Sequence, residues 1–105
     1  MKQICTLKDI PDRQAKAFPY DDNYSLLIYR RDDLVFAYIN SCPHGGVPLE
    51  WNADKFMSLD GYSLQCGTHG AQFEPSSGLC TYGPCKGAKL HKVEIILDNG
   101  IVYRV

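Results

Sequence analysis

The sequence predicts an all-β fold of small antiparallel sheets, a sandwich or barrel that carries a loop-rich subdomain. Three observations lead there. Nine Gly and six Pro punctuate the 105 residues at short intervals, no window keeps a 3.6-residue apolar period for three turns, and the apolar runs have strand length and turn-forming ends. A chain of this size makes one small domain, spanning 1–105, and buries roughly 60–65% of its unfolded surface.

Each element has its own signal. Tyr24 to Tyr29 is a run of strand formers, the polar Arg30-Arg31-Asp32-Asp33 interrupts it, and Leu34 to Ile39 resumes it. Two such runs about a short polar break read as a hairpin. Toward the C-terminus Val93, Ile95 and Leu97 occupy one face of an alternating run, Asn99-Gly100 follows, and Ile101, Tyr103 and Val105 alternate again. Asn-Gly there marks a two-residue hairpin turn, because both central residues of that turn need positive φ. Glu74-Pro75-Ser76-Ser77-Gly78 is a further turn, with proline supplying the fixed φ. The middle of the chain, about 41–89, holds eight of the nine glycines and few strand-like runs. Its backbone needs an organiser other than a large apolar core.

Composition narrows the function classes. A hydrophobic fraction of 45%, with seven Tyr, four Phe and one Trp, excludes a disordered chain. Eleven basic against twelve acidic residues leave a net charge of −1, which argues against a surface built for nucleic acid. Residues 34–85 carry Glu50, Asp54, Asp60 and Glu74 against Lys55, so the loop-rich region is mildly acidic. No apolar run approaches the roughly 20 residues that span a bilayer. Met1-Lys2-Gln3-Ile4-Cys5-Thr6 lacks the apolar stretch of a secretion signal. The expectation is a soluble, cytoplasmic monomer that engages neither nucleic acid nor membrane.

Five cysteines in a chain this short cannot all pair with one another, and in a reducing compartment they point to metal or redox chemistry. Two cysteine–histidine pairs stand out: Cys42-Pro43-His44 and Cys66-Gly67-Thr68-His69, each followed at once by glycine, Gly45 and Gly70. A cysteine and a histidine two or three residues apart reach around one tight loop toward a common ion, and glycine lets the backbone approach. Two thiolates and two imidazoles complete a tetrahedral zinc site. They equally complete a two-iron, two-sulfide cluster in which one iron takes both cysteines and the other both histidines. Spacing alone leaves both open.

The first motif with its flanks, Asn40-Ser41-Cys42-Pro43-His44-Gly45-Gly46-Val47-Pro48-Leu49, resembles the first cluster-binding loop of Rieske proteins. Gln65-Cys66-Gly67-Thr68-His69-Gly70-Ala71-Gln72-Phe73 resembles their second loop. Gly78 followed by Gly83-Pro84 is similar to the proline-bearing third loop that covers the cluster, and Ile4-Cys5-Thr6-Leu7-Lys8-Asp9-Ile10-Pro11 is similar to the start of a Rieske ferredoxin. The resemblance implies a Rieske-like fold with a cluster-binding subdomain at about 41–89. Cys42 and Cys66 would hold an inner iron of one [2Fe-2S] cluster, and His44 and His69 an outer one near the surface. Twenty-one residues, 45–65, separate His44 from Cys66, more than in dioxygenase ferredoxins.

Some Rieske proteins of respiratory complexes add a disulfide between the ligand loops, and a serine and a tyrosine hydroxyl bonded to sulfur. Here Ala71 and Phe73 stand where those hydroxyls would lie, and no cysteine is at the matching places. Fewer donors to sulfur imply a lower reduction potential. The remaining candidates read as structural. Cys80 and Cys85 are expected as small buried side chains near the third loop, Cys5 as a strand residue, His91 as a sheet-edge histidine and Trp51 as cover for the core.

The resemblance implies a one-electron carrier, the ferredoxin that passes electrons from a reductase to an oxygenase or similar acceptor. Gly45, Val47, Pro48, Gly70 and Pro84 would form its docking patch. The alternatives are a regulatory or interaction module built around the cluster, and a zinc-stabilised binding domain. An enzyme in its own right is not expected: there is no glycine-rich nucleotide loop between strand and helix, and no nucleophile with a spare base.

Overall fold

Ten strands form among residues 1–43, 45–50, 55–67 and 70–105, which the computed structural model describes, and they pair into three antiparallel sheets. The terminal sheet has the order β1 (Lys2–Thr6), β10 (Ile101–Arg104), β9 (Ile95–Asp98). The central sheet has the order β2 (Ala15–Pro19), β3 (Ser25–Arg31), β4 (Leu34–Ile39), β8 (Lys92–Val93). A small third sheet joins β5 (Leu64–Gln65), β6 (Gln72–Phe73) and β7 (Cys80–Tyr82). No helix among the described residues is long and apolar enough to cross a membrane.

Both expected hairpins are present. β3 and β4 close at the Arg31–Leu34 pair, where Asp32 takes φ 55°. β9 and β10 close at Asp98–Ile101, with Asn99 at φ 50° and Gly100 at φ 76°. The expected run through Val93, Ile95 and Leu97 is divided between two sheets: Val93 pairs with Ala37 of β4, whereas Ile95 pairs with Arg104 of β10. The alternation persists across the break because all three side chains pack against one core.

The central sheet is a wall between two cores, which explains the uninterrupted apolar run of β3. Leu26, Leu27, Ile28 and Tyr29 are all buried, and alternate side chains of a strand point to opposite faces. Leu27 and Tyr29 join Tyr38 and Ala15 in a core that also contains Cys42 and Cys66. Leu26 and Ile28 join Ala37, Val102, Cys5 and Ile10 in the core beneath the terminal sheet. Register keeps the faces consistent, since Leu27 opposes Tyr38 and Ile28 opposes Ala37. Arg30 ties the N-terminal segment to this wall, its guanidinium donating to the Ile10 carbonyl at 3.0 Å and the Asp32 carbonyl at 2.7 Å.

Candidate metal centre

The two cysteine loops have the same backbone geometry. The Cys42 amide donates to the Val47 carbonyl at 2.7 Å, and the Cys66 amide donates to the Ala71 carbonyl at 2.8 Å. In return the Gly46 amide donates to the Cys42 carbonyl at 2.7 Å, and the Gly70 amide to the Cys66 carbonyl at 2.9 Å. Gly46 and Gly70 sit at φ 70° and 69°, a left-handed turn that a side chain would strain. Gly46, rather than the expected Gly45, is thus the counterpart of Gly70. The spacings Cys-x-His and Cys-x-x-His differ by one residue, so the glycine directly after the histidine falls at different points of the two turns.

Anchors on the central sheet hold these loops. Asn40, at the end of β4, is buried and donates from Nδ2 to Ser25 Oγ at 2.9 Å and to the Glu50 carboxylate at 3.0 Å. Its Oδ1 accepts the Leu49 amide at 2.8 Å, which spans the base of the first loop. The Leu49 carbonyl then accepts the Gly67 amide at 2.9 Å and links the first loop to the second. Cys42 and Cys66 lie 1% and 0% exposed, while Pro43, Gly45, Gly46 and Gly67 around them are exposed. His44, His69 and Trp51 lie outside the described residues.

A third segment leans on the second loop. Gly83 has φ 101°, and a Cβ there would sit 2.7 Å from the Ala71 Cα, so only glycine lets the backbones approach this closely. At Gly78 a Cβ would sit 2.8 Å from the Tyr38 ring. The Tyr38 hydroxyl donates to the Pro75 carbonyl at 2.6 Å and pins the 74–78 turn to β4. Burial, and then the Glu74 carboxylate, hold that phenol protonated well above the usual tyrosine range. Sequence reasoning singled out the glycines but missed Asn40 and Tyr38 as supports. A buried asparagine is legible only once its partners are known.

The other cysteines are placed as follows. Cys5 is a buried residue of β1 in the terminal-sheet core, and burial, then Asp9, push its thiol up to about 11. Cys80 is buried in β7, and its Sγ lies 3.0 Å from Cys85 Sγ. No disulfide joins any of the five. The Cys85 thiol is pushed up to about 12 by burial first, then by the hydrogen bond and charge of Cys80, and then by the charge of Cys42. Among the described residues no group of three or more His, Cys, Asp or Glu side chains could hold an ion by itself. His91 is exposed beside β8, where its carbonyl accepts the Ile39 amide at 2.9 Å, in keeping with a sheet-edge residue.

Buried thiols in matched turns suit an iron–sulfur group, to which thiolates would supply half of a mixed cysteine–histidine ligand set. Known proteins agree. The family model of the Rieske [2Fe-2S] domain matches residues 1–97. The ferredoxin component of a p-cumate 2,3-dioxygenase system of Pseudomonas putida is 26% identical over 100 residues, covering 95% of this chain and 80% of its own. Among solved structures, the ferredoxin of carbazole 1,9a-dioxygenase from Nocardioides aromaticivorans IC177 superposes with TM-score 0.77 at 20% identity, covering 98% of this chain and 94% of its own. A structure titled as a complex of reduced oxygenase and oxidized ferredoxin in carbazole 1,9a-dioxygenase gives TM-score 0.79 at 25% identity, covering 98% and 90%.

The chain belongs to the Rieske [2Fe-2S] domain family. Its relatives over most of the chain include ferredoxin components of dioxygenase systems, and the chain is an electron carrier with one [2Fe-2S] cluster.

Proposed function

We propose that Cys42, His44, Cys66 and His69 hold the cluster, within a single Rieske domain over 1–105 whose cluster-binding part is about 41–89. The carrier takes one electron at a time from a reductase and delivers it to the oxygenase of a ring-hydroxylating system or to a similar acceptor, in the cytoplasm. The observation that carries the ligand assignment is the pair of equivalent turns around Cys42 and Cys66. A radius of gyration of 12.7 Å supports the one-domain reading, since a single domain of this length has about 13 Å.

When bound, a [2Fe-2S] cluster supplies reversible one-electron chemistry, at a higher potential with imidazole ligands than with thiolates alone. The chain's own residues do the rest. Cys42 and Cys66 place their sulfurs in a dry core, where Leu49, Phe56, Leu64 and Phe73 exclude water. His44 and His69 follow within two and three residues, and their exposed neighbours make them the ligands nearest a partner. Pro43, Pro48 and Pro84 are exposed, with Val47 and Gly70 half-buried, so docking there orders few rotamer-rich side chains.

Alanine at each of the four positions tests the assignment. Each variant should lose acid-labile sulfide and the visible absorption of the cluster, whereas alanine at exposed His91 should lose neither. A fully loaded His44→Ala or His69→Ala protein would overturn the ligand set. Rapid mixing with a flavin-dependent reductase and then an oxygenase tests the carrier role. Reduction followed by fast reoxidation is expected, and a cluster inert to both would contradict it.

A further inference from the structure

β7 and the turn that follows it bring two thiols face to face. Cys80 Sγ and Cys85 Sγ lie 3.0 Å apart, and neither is in a disulfide. Backbone hydrogen bonds close the chain around them. The Cys80 amide donates to the Ala88 carbonyl at 2.8 Å, and the Gly87 amide donates to the Cys80 carbonyl at 3.0 Å. Inside that ring the Ala88 amide donates to the Cys85 carbonyl at 2.8 Å. The Cys80 thiol also donates to the Tyr82 carbonyl at 3.3 Å, which holds its sulfur within the turn. A disulfide keeps its sulfurs about 2.05 Å apart, so this pair has only about 1 Å to close from 3.0 Å. The two thiols differ in access. Cys80 is 2% exposed, whereas Cys85 is half-buried between exposed Pro84 and Lys86.

We propose that Cys80 and Cys85 form a reversible redox bridge, a dithiol in a reducing compartment and a disulfide when the surrounding small thiols become oxidised. The oxidant is a low-molecular-weight disulfide of the glutathione class. Cys85, the more accessible thiol, loses its proton and attacks one sulfur of that disulfide, whose S–S bond breaks and releases one small thiol. Cys80 then loses its proton and attacks the Cys85 sulfur of the mixed disulfide, which expels the second small thiol. Two protein thiols give up two electrons and two protons, and the small disulfide takes up both to become two thiols. Excess small thiol reverses both steps. Burial keeps the Cys85 thiol protonated at neutral pH, so exchange is slow and the equilibrium endpoint is the readout.

The bridge would staple the segment that bears on the second cysteine loop. Gly83 lies between the two cysteines, and a Cβ there would sit 2.7 Å from the Ala71 Cα. The bridge itself stands whether or not Cys42 and Cys66 are ligands. Only its effect on iron retention rests on that assignment.

The test incubates the iron-loaded full chain anaerobically with oxidised glutathione until exchange is complete, alkylates the free thiols and digests with chymotrypsin. After cleavage at Tyr82, the fragments that carry Cys80 and Cys85 should stay joined, and dithiothreitol should separate them. Cys80→Ser should stop at a mixed disulfide on Cys85. Recovery of both cysteines alkylated in the unsubstituted protein, or either of them bridged to another cysteine, would overturn the proposal. On intact samples the bridged form should release iron to a chelator more slowly than the dithiol form, and equal rates would overturn the stapling role. Retention of iron and sulfide by Cys66→Ala would instead overturn the ligand assignment and leave the bridge standing.

Discussion

A methyl group on Gly83 would sit 2.7 Å from the Ala71 Cα, and the residue's φ of 101° already excludes most side chains. Strain and clash together should cost Gly83→Ala about 2–4 kcal/mol in urea denaturation, with lower cluster content. Equal stability would mean that the segment does not bear on the second loop. Ala71 and Phe73 are both fully buried, and Ala71 is bonded through its carbonyl to the amide of Cys66, a proposed ligand. The reduction midpoint should accordingly fall in the low half of the roughly −150 to +300 mV range for such centres. A midpoint above roughly +150 mV on that scale contradicts this, and the Ala71→Ser, Phe73→Tyr double variant should titrate higher than the parent. At this scale the sequence displayed Cys42 and Cys66 plainly, because matching motifs are local. Tyr38 and Asn40 were not legible as supports, because the Tyr38 partner Pro75 and the Asn40 partners Ser25 and Glu50 lie well outside any local pattern.

The elements that support the loops have their own energetics. Desolvation pushes the Glu74 carboxyl up, but hydrogen bonds from Ser76 and Ser77 outweigh it, and the net shift is downward. A carboxyl lowered in the folded state stabilises the fold at neutral pH, and that stabilisation is lost as pH falls past the unfolded value of about 4.3 and through the folded one. The stability advantage over Glu74→Gln, measured by urea titration, should therefore shrink as the solution is acidified below about pH 4. An advantage independent of pH would assign the turn's stability to Pro75 and the backbone alone. In β3, Leu27→Ala should cost about 2–5 kcal/mol by opening a cavity on the cluster side of the wall. The two hairpins were legible because their turns carry positive φ at Asp32, Asn99 and Gly100, and polar or glycine residues advertise it. The split at Glu94 was not, because one alternation serves two sheets that share a core.

Across the molecule, the loop-rich half and the strand-rich half meet at one wall, and each face of that wall has a separate task. The terminal sheet and its core close one side, while the other side presents Leu27, Tyr29 and Tyr38 to the loops that carry Cys42 and Cys66. Among the described residues, 41–89 forms three strands of two or three residues, punctuated by left-handed glycines, over an apolar core that includes Leu49, Phe56, Leu64 and Phe73. Small sheets of this kind bury little on their own, so removing iron by a chelator should lower the thermal midpoint of the whole chain. A midpoint unchanged by iron removal would mean that the apolar core alone holds the loops. The most direct measurement of the central claim is electron paramagnetic resonance of the dithionite-reduced protein, with iron and acid-labile sulfide counted on the same sample. Two irons and two sulfides per chain and a single mixed-valence signal, lost on Cys66→Ala, are expected; a colourless protein that retains zinc and stays silent on reduction would contradict the account.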